Sequence, residues 1–280
     1  MTEQPASLPS SRPGVWALVA VVLSLAAMAR LGIGAEALGS IADVLRGLAN
    51  LTARMWPPRL EAATLADVVR GTGETLSMSV VGTAMGAVIG LALMPLCCET
   101  LLVRGVLLAE ERRSGAAIAT ELGLHHAARA IANVLRTVPY FVWALLFWFM
   151  VGPGAFAGAL ALGVHTGGVV ARTYSQALDA VDPRPVAALR AIGARRLHIL
   201  LFGLLPESRV ALASLTLYRW EVNLRESAVL GLVGGVGLGF HLKYAIGIFD
   251  WRAVATHLAA LVLLVLAVDA LSTRVRRLLL

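Results

Sequence analysis

Runs of about 18–22 predominantly apolar residues recur along this chain, each long enough to cross a bilayer as a helix. They do not alternate apolar with polar residues, so they do not read as strands. Inside lipid, a segment must satisfy its own backbone hydrogen bonds, which leaves the helix as the available form. Composition agrees. Of 280 residues, 58% are hydrophobic and 15% charged, against about 25% charged in a typical soluble domain. The expected fold class is all-α, a polytopic helical membrane protein.

Six spans are expected: Val15 to Ile33, Thr75 to Leu96, Asn133 to Val151, Ala155 to Val170, Ser208 to Leu232 and Ala253 to Leu271. The N-terminus has no basic n-region, and the first run is too long for a signal peptide, so it reads as a retained span. Residues 1–14 form an expected cytoplasmic tail, and residues 15–280 one membrane domain with its core at 72–272.

The net charge of +7 is nearly all arginine, with Lys243 the sole lysine. Arg104, Arg112, Arg113 and Arg129 lie between spans two and three. Arg172, Arg184, Arg190, Arg195 and Arg196 lie between spans four and five, and Arg274, Arg276 and Arg277 follow the last. With six spans, all three groups fall on one side, the cytoplasmic one. Both termini are then cytoplasmic. This clustering argues against a nucleic-acid partner. The segment from Gly34 to Arg70 falls outside, where the Trp56-Pro57-Pro58 break suggests a short interfacial helix and a turn.

Several local patterns carry structural expectations. Gly82, Gly86 and Gly90, spaced by four, allow close helix packing within the bundle or across a dimer. Pro139 fits a first turn or a kink, with Arg136 at the interface. His165 reads as hydrogen-bonded inside the bundle, or as a ligand. The adjacent Cys97 and Cys98 cannot make a disulfide framework or a zinc site, and no metal site is expected. Gly231, Gly234, Gly235, Gly237 and Gly239 lack the strand context of a nucleotide fingerprint and suggest a bend or close backbone approach. Asp269 and Ser272 suggest an interfacial pair with Arg274.

The fifth span is unusual, because Arg219, Glu221, Arg225 and Glu226 fall within eight residues. Each charge at the bilayer centre costs about 2.5–3.5 kcal/mol on insertion scales. At 100° per residue, Tyr218, Glu221 and Arg225 share one face. Arg219, Asn223 and Glu226 share the next, and Leu217, Trp220 and Leu224 form an apolar stripe. Glu221 and Arg225 have the spacing and order of an i,i+4 pair. The helix should lie inside the bundle or line a polar cavity. It is either an anion pathway or gate, or an internally neutralised structural network.

The segment Asp182 to Pro206, DPRPVAALRAIGARRLHILLFGLLP, is Arg-rich, helix-forming and set between apolar runs. It resembles the EAA loop of binding-protein-dependent ABC importer permeases, whose pattern is E-A-A, three residues, G, nine residues, I-x-L-P. Ala187, Ala188 and Leu189 stand at the first three positions, followed by Arg190, then Gly193 and Ala194. Gly203, Leu204, Leu205 and Pro206 stand at the end. Ala187 replaces the leading glutamate and Gly203 the isoleucine. RTVPYFVWA (136–144), AFAGALALGVHTG (155–167), LYRWEVNLR (217–225), VLGLVGGVGLG (229–239) and the ending Val268-Asp269-x-x-Ser272 are similar to the phosphonate-type permeases.

The resemblance implies a type I ABC importer permease fold and import of phosphonate, phosphite or hypophosphite. It implies that Ala187, Ala188, Leu189, Arg190, Gly193, Ala194, Leu205 and Pro206 couple to an ATPase. It places Arg136, His165, Tyr218, Arg219, Glu221, Asn223 and Arg225 at family motif positions, as candidates for the translocation path. The implied partners are a cytoplasmic ATPase dimer, a periplasmic binding protein and a second permease in the bacterial inner membrane. No cofactor is expected on this chain, with ATP and Mg held by the ATPase. The chain has no HExxH, no P-loop and no GxSxG with a plausible partner, so the expectation is a transport subunit and not an enzyme. Rivals are a permease for an amino acid, a passive channel subunit, or an intramembrane enzyme using His165, Asp269 or Glu221.

Overall fold

The structure is a computed structural model that describes residues 13–30, 36–102 and 115–279. All regular elements among them are helical. They are α1 (Pro13–Arg30), α2 (Glu36–Met55), α3 (Ala62–Cys97), α4 (Glu99–Leu102), α5 (Gly115–Thr137), α6 (Tyr140–Val151), α7 (Ala155–Asp179), α8 (Pro183–Ala191) and α9 (Arg196–His198). A π-helical stretch (Ile199–Leu204) follows, then α10 (Leu205–Gly234), α11 (Gly237–Gly247) and α12 (Trp251–Leu279). The chain divides into two units, Met1–Trp56 and Pro57–Leu280. In the first, α1 is apolar and α2 amphipathic, with Asp43 and Arg46 paired one turn apart at 3.3 Å. In the second, the main chain around Arg59 binds α12: Arg59 N–H donates to Arg252 O, and Thr256 Oγ1 donates to Arg59 O.

The second unit is built on α3 and α7, which mesh along much of their length. A Cβ at Gly82 would lie 2.6 Å from Leu162 Cβ, one at Gly86 2.6 Å from Thr166 Cγ2, and one at Gly90 2.5 Å from Val170 Cγ1. The relation is reciprocal, because a Cβ at Gly163 would meet Met85 and one at Gly167 would meet Ile89. Of the two settings open for the small-residue stripe, the structure places it within the bundle. Backbones this close gain dispersion along the whole contact, which is the main attraction available between helices in lipid. Close approach recurs between α10 and α11, where Gly231 lies against Val236 O and Gly239 against Ala228 O.

Four described helices are long and apolar enough to cross a membrane: Ala62–Cys97, Ala155–Asp179, Arg196–Gly234 and Trp251–Leu278. A fifth crossing exists if α5 and α6 count as one broken span. Of the expected spans, the third is the one corrected. The expected third span, Asn133 to Val151, is two helices bent by 88°. Pro139 causes the break: it has no N–H to donate and disfavours helix at Val138. The expected first span falls on α1, with its last residues outside the described set, as are Arg104, Arg112 and Arg113. The fifth expected span begins earlier than Ser208, since helix runs continuously from Arg196.

Candidate functional site

Two assemblies in the second unit carry the residues singled out from the sequence. One is a polar cluster where α3, α7 and α10 meet near the middle of each. Asn223 is fully buried at its centre. Its Oδ1 accepts from Thr166 Oγ1 at 2.9 Å, and its Nδ2 donates to Thr83 Oγ1 at 2.8 Å. Thr83 Oγ1 in turn donates to Ser79 O at 2.6 Å, so the chain of donors ends on backbone. Such hydroxyls can back-bond to their own helix and still accept a bond from a neighbour.

Arg219 leans over this network. Its Nη2 donates to Asn223 Oδ1 at 3.2 Å and to Thr166 Oγ1 at 3.3 Å, and lies 3.8 Å from Glu226 Oε2. The Arg219 and Glu226 side chains are 12% and 16% exposed. Tyr140 lies within electrostatic reach of Glu226, and His165 within reach of Arg219. The Tyr140 and His165 rings meet edge to face at 6.1 Å. His165 Nδ1 is 3.1 Å from Val138 O, which makes it the hydrogen-bonded bundle histidine. Its partner carbonyl is one of those freed by the break at Pro139.

The structure separates the other charges of α10 from this cluster. Glu221 and Arg225 have the spacing of a pair, yet each turns to α12. Arg276 Nη2 donates to Glu221 Oε1 at 2.6 Å, and Arg225 Nη2 to Asp269 Oδ1 at 3.3 Å. The expected Glu221–Arg225 pair is therefore corrected. Two helices crossing along their length offer each charge a partner without the side-chain bending that an i,i+4 pair demands. The expected pairing of Asp269 with Arg274 is corrected on the same ground. Ser272 is fully buried, and its hydroxyl has no hydrogen-bond partner. Tyr218 is half exposed, and exposed Arg136 donates to Asn133 Oδ1 at 3.1 Å. Tyr218 lies within electrostatic reach of Arg219. Thr83, Thr166 and Glu226 belong to the cluster although the sequence did not single them out as path residues. The signal for Glu226 was present, since it shares the helical face of Arg219 and Asn223.

The second assembly is the loop between α7 and α10. Asp182 caps α8 by accepting from Arg184 N–H at 2.9 Å, with Pro183 at the first helical position. At the other end Gly193 adopts φ +75°. Gly193 N–H donates to Arg190 O at 2.8 Å and Ala194 N–H to Leu189 O at 3.0 Å. This is the Schellman ending that glycine favours. Val186 is buried against Ile199, Leu200, Leu204, Tyr174 and Leu178, with Leu189 packed alongside. A Cβ at Gly203 would lie 3.0 Å from Leu189 Cδ1, so the residue standing in for the pattern's isoleucine makes room for α8. Arg196 ties the loop to α5 through Glu121 at 3.0 Å. Ala187, Ala188, Ile192, Leu197 and Phe202 remain exposed, an apolar surface on a short capped knob. Leu205 opens α10, with Pro206 in its first turn, where the missing N–H costs nothing.

The binding-protein-dependent transport system inner membrane component profile matches residues 119–279. The chain belongs to this family. The match spans α5 through α12 and so takes in the capped loop and α10. Among relatives of this permease, the phosphite transport system permease protein PtxC of Stutzerimonas stutzeri is 32% identical over 263 residues, covering 92% of this chain and 87% of that protein. The phosphite transport system permease protein HtxC of the same organism, described as putative, is 33% identical, covering 82% and 75%. A solved structure of the MetNI methionine ABC transporter, in an inward-facing conformation, superposes with TM-score 0.65 at 27% identity, covering 79% of this chain and all of that one. The permease is thus a multi-pass membrane protein with the fold of a type I ABC importer subunit.

Proposed function

We propose that this permease carries a phosphorus oxyanion, namely phosphonate, phosphite or hypophosphite, into the cytoplasm by alternating access. The carrying observation is Arg219, held at the middle of α10 by Thr166 and Asn223. A guanidinium suits such a cargo because its donors match paired phosphorus oxygens. The phosphite permeases PtxC and HtxC support the same substrate class. In this scheme Arg219, Asn223, His165 and Tyr218 lie along the path, Glu221 and Arg225 brace α10 against α12, and Arg136 serves at one end.

The energy comes from a cytoplasmic ATPase dimer that binds ATP and Mg and docks on the knob from Ala187 to Ala194, with Leu205 and Pro206 anchoring its return to the membrane. A periplasmic binding protein delivers substrate, and a second permease subunit completes the pore. Both termini face the cytoplasm, residues 15–280 form the membrane domain around a core at 72–272, and the chain catalyses no reaction itself.

The test is ATP-driven uptake by the reconstituted complex, with phosphite, methylphosphonate, hypophosphite and D-methionine offered in turn. Uptake of a phosphorus compound, lost in Arg219→Ala, is expected. Uptake of methionine alone would overturn the proposal in favour of the amino-acid reading that the MetNI likeness supports. Turnover without any ATPase would point to an enzyme, and flux without ATP to a channel.

A further inference from the structure

Arg219 and Glu226 face one another without satisfying one another. Their closest approach, 3.8 Å, is too long for a hydrogen bond. Arg219 Nε and Glu226 Oε2 are both buried and have no hydrogen-bond partner. Native structures rarely leave buried polar atoms unpaired, and those left so call for an explanation. Here the two orphans, a donor and an acceptor, belong to facing side chains at the edge of a network that fixes the guanidinium through Thr166 and Asn223.

A guanidinium alone would accept any oxyanion. A carboxylate beside it changes the requirement. A bare oxygen facing Glu226 sets two acceptors against each other, and like charges add to the penalty. An oxygen that carries a proton donates to Glu226 while a second oxygen of the same anion accepts from Arg219. The complementary ligand is a singly charged anion with one hydroxyl on phosphorus. The phosphite and alkylphosphonate monoanions have that group. Phosphite dianion, sulfate and hypophosphite lack it.

Resting on the transport reading above, we propose that Glu226 is a specificity-determining residue, and that the Arg219–Glu226 pair selects phosphorus oxyanions bearing a P–OH group. A merely structural Glu226 would neutralise Arg219 and leave selection unaffected.

The experiment uses the permease reconstituted with its ATPase and saturating binding protein. ATP-driven phosphite uptake is measured across the pH range in which phosphite loses its second proton. Wild type and Glu226→Asp are expected to slow as the dianion replaces the monoanion. In Glu226→Gln the amide can donate as well as accept, so the ratio of acid-side to alkaline-side rates should shrink on the order of tenfold. Glu226→Ala gives the same comparison if the glutamine variant fails to assemble. Parallel profiles in wild type and the neutral variants overturn the role of Glu226 and leave transport standing. No phosphite uptake by wild type at any pH overturns the transport reading itself.

Discussion

Arg276 reaches from α12 to Glu221 on α10 and closes to 2.6 Å, leaving the Glu221 carboxylate 8% exposed. This contact converts an arginine from the C-terminal basic group into the counter-ion of a buried acid. Removing one member of a buried pair costs about 3–5 kcal/mol, because the other charge stays behind uncompensated. Arg276 is partly exposed, so Arg276→Met should fall at the lower end of that range. Thermal unfolding in detergent should show a clear drop in Tm. The double variant with Glu221→Gln should recover much of it, and additive losses would show that the pair is not coupled.

Gly86→Ala tests the α3–α7 seam. The added methyl would lie 2.6 Å from Thr166 Cγ2 and 2.7 Å from its Cβ, and neither atom belongs to a flexible tip. Overpacking of this kind costs about 1–3 kcal/mol. Gly73→Ala, on the same helix with nothing within 4 Å, is the control and should leave Tm unchanged or raised.

Gly193→Asp should leave the helical bundle inserted but weaken capture of the ATPase. The left-handed backbone at Gly193 costs a residue with a Cβ about 1–2 kcal/mol, and the added charge sits beside the exposed Ile192. Co-purification of the ATPase, read against unchanged helix content, checks this. Full assembly and wild-type uptake in the variant would count against the proposed docking surface.

Arg219→Ala should abolish uptake, and Arg136→Ala should reduce it modestly. Arg219 is woven into Thr166, Asn223 and Glu226, whereas Arg136 is exposed and bonded locally, to Asn133. Equal losses in the two variants would show that the cluster holds no special place in transport.

Cys98, just past the end of α3, should resist alkylation. Burial pushes its thiol up to about 12, and the neighbouring Asp179 carboxylate pushes in the same direction. The thiolate is the reactive form, so at mildly alkaline pH the folded protein should label at Cys98 far more slowly than the denatured chain. Equal rates in both would show that the thiol is accessible.

Much of this was legible from residue spacing, and what was not has an identifiable cause. Gly82, Gly86 and Gly90 announce a flat helix face, and the structure adds that Gly163 and Gly167 answer it from α7. Spacing within one helix cannot name the helix opposite. The two charged faces of α10 were correctly separated, but the pairing inside them was not. Glu221 and Arg225 looked like partners because local geometry allowed it, while Arg276 and Asp269, some fifty residues downstream, won both contacts. Thr83 and Thr166 were passed over because a threonine in a membrane helix usually bonds its own backbone. Thr83 does so and also accepts from Asn223. The loop was the most readable element, since Asp182-Pro183 and Gly193 are local start and stop signals that need no distant partner.

The glycine seam also bears on motion. Side chains of α3 sit in notches of α7 and the reverse, at successive turns, so neither helix can slide along the other without first separating from it. α7 runs directly into the capped knob at Asp182. A push on that knob is therefore delivered without slip to both helices at once, and arrives at Thr83 and Thr166 together. The knob also continues into α10 as unbroken helix from Arg196, so the same push arrives at Asn223 from the other side.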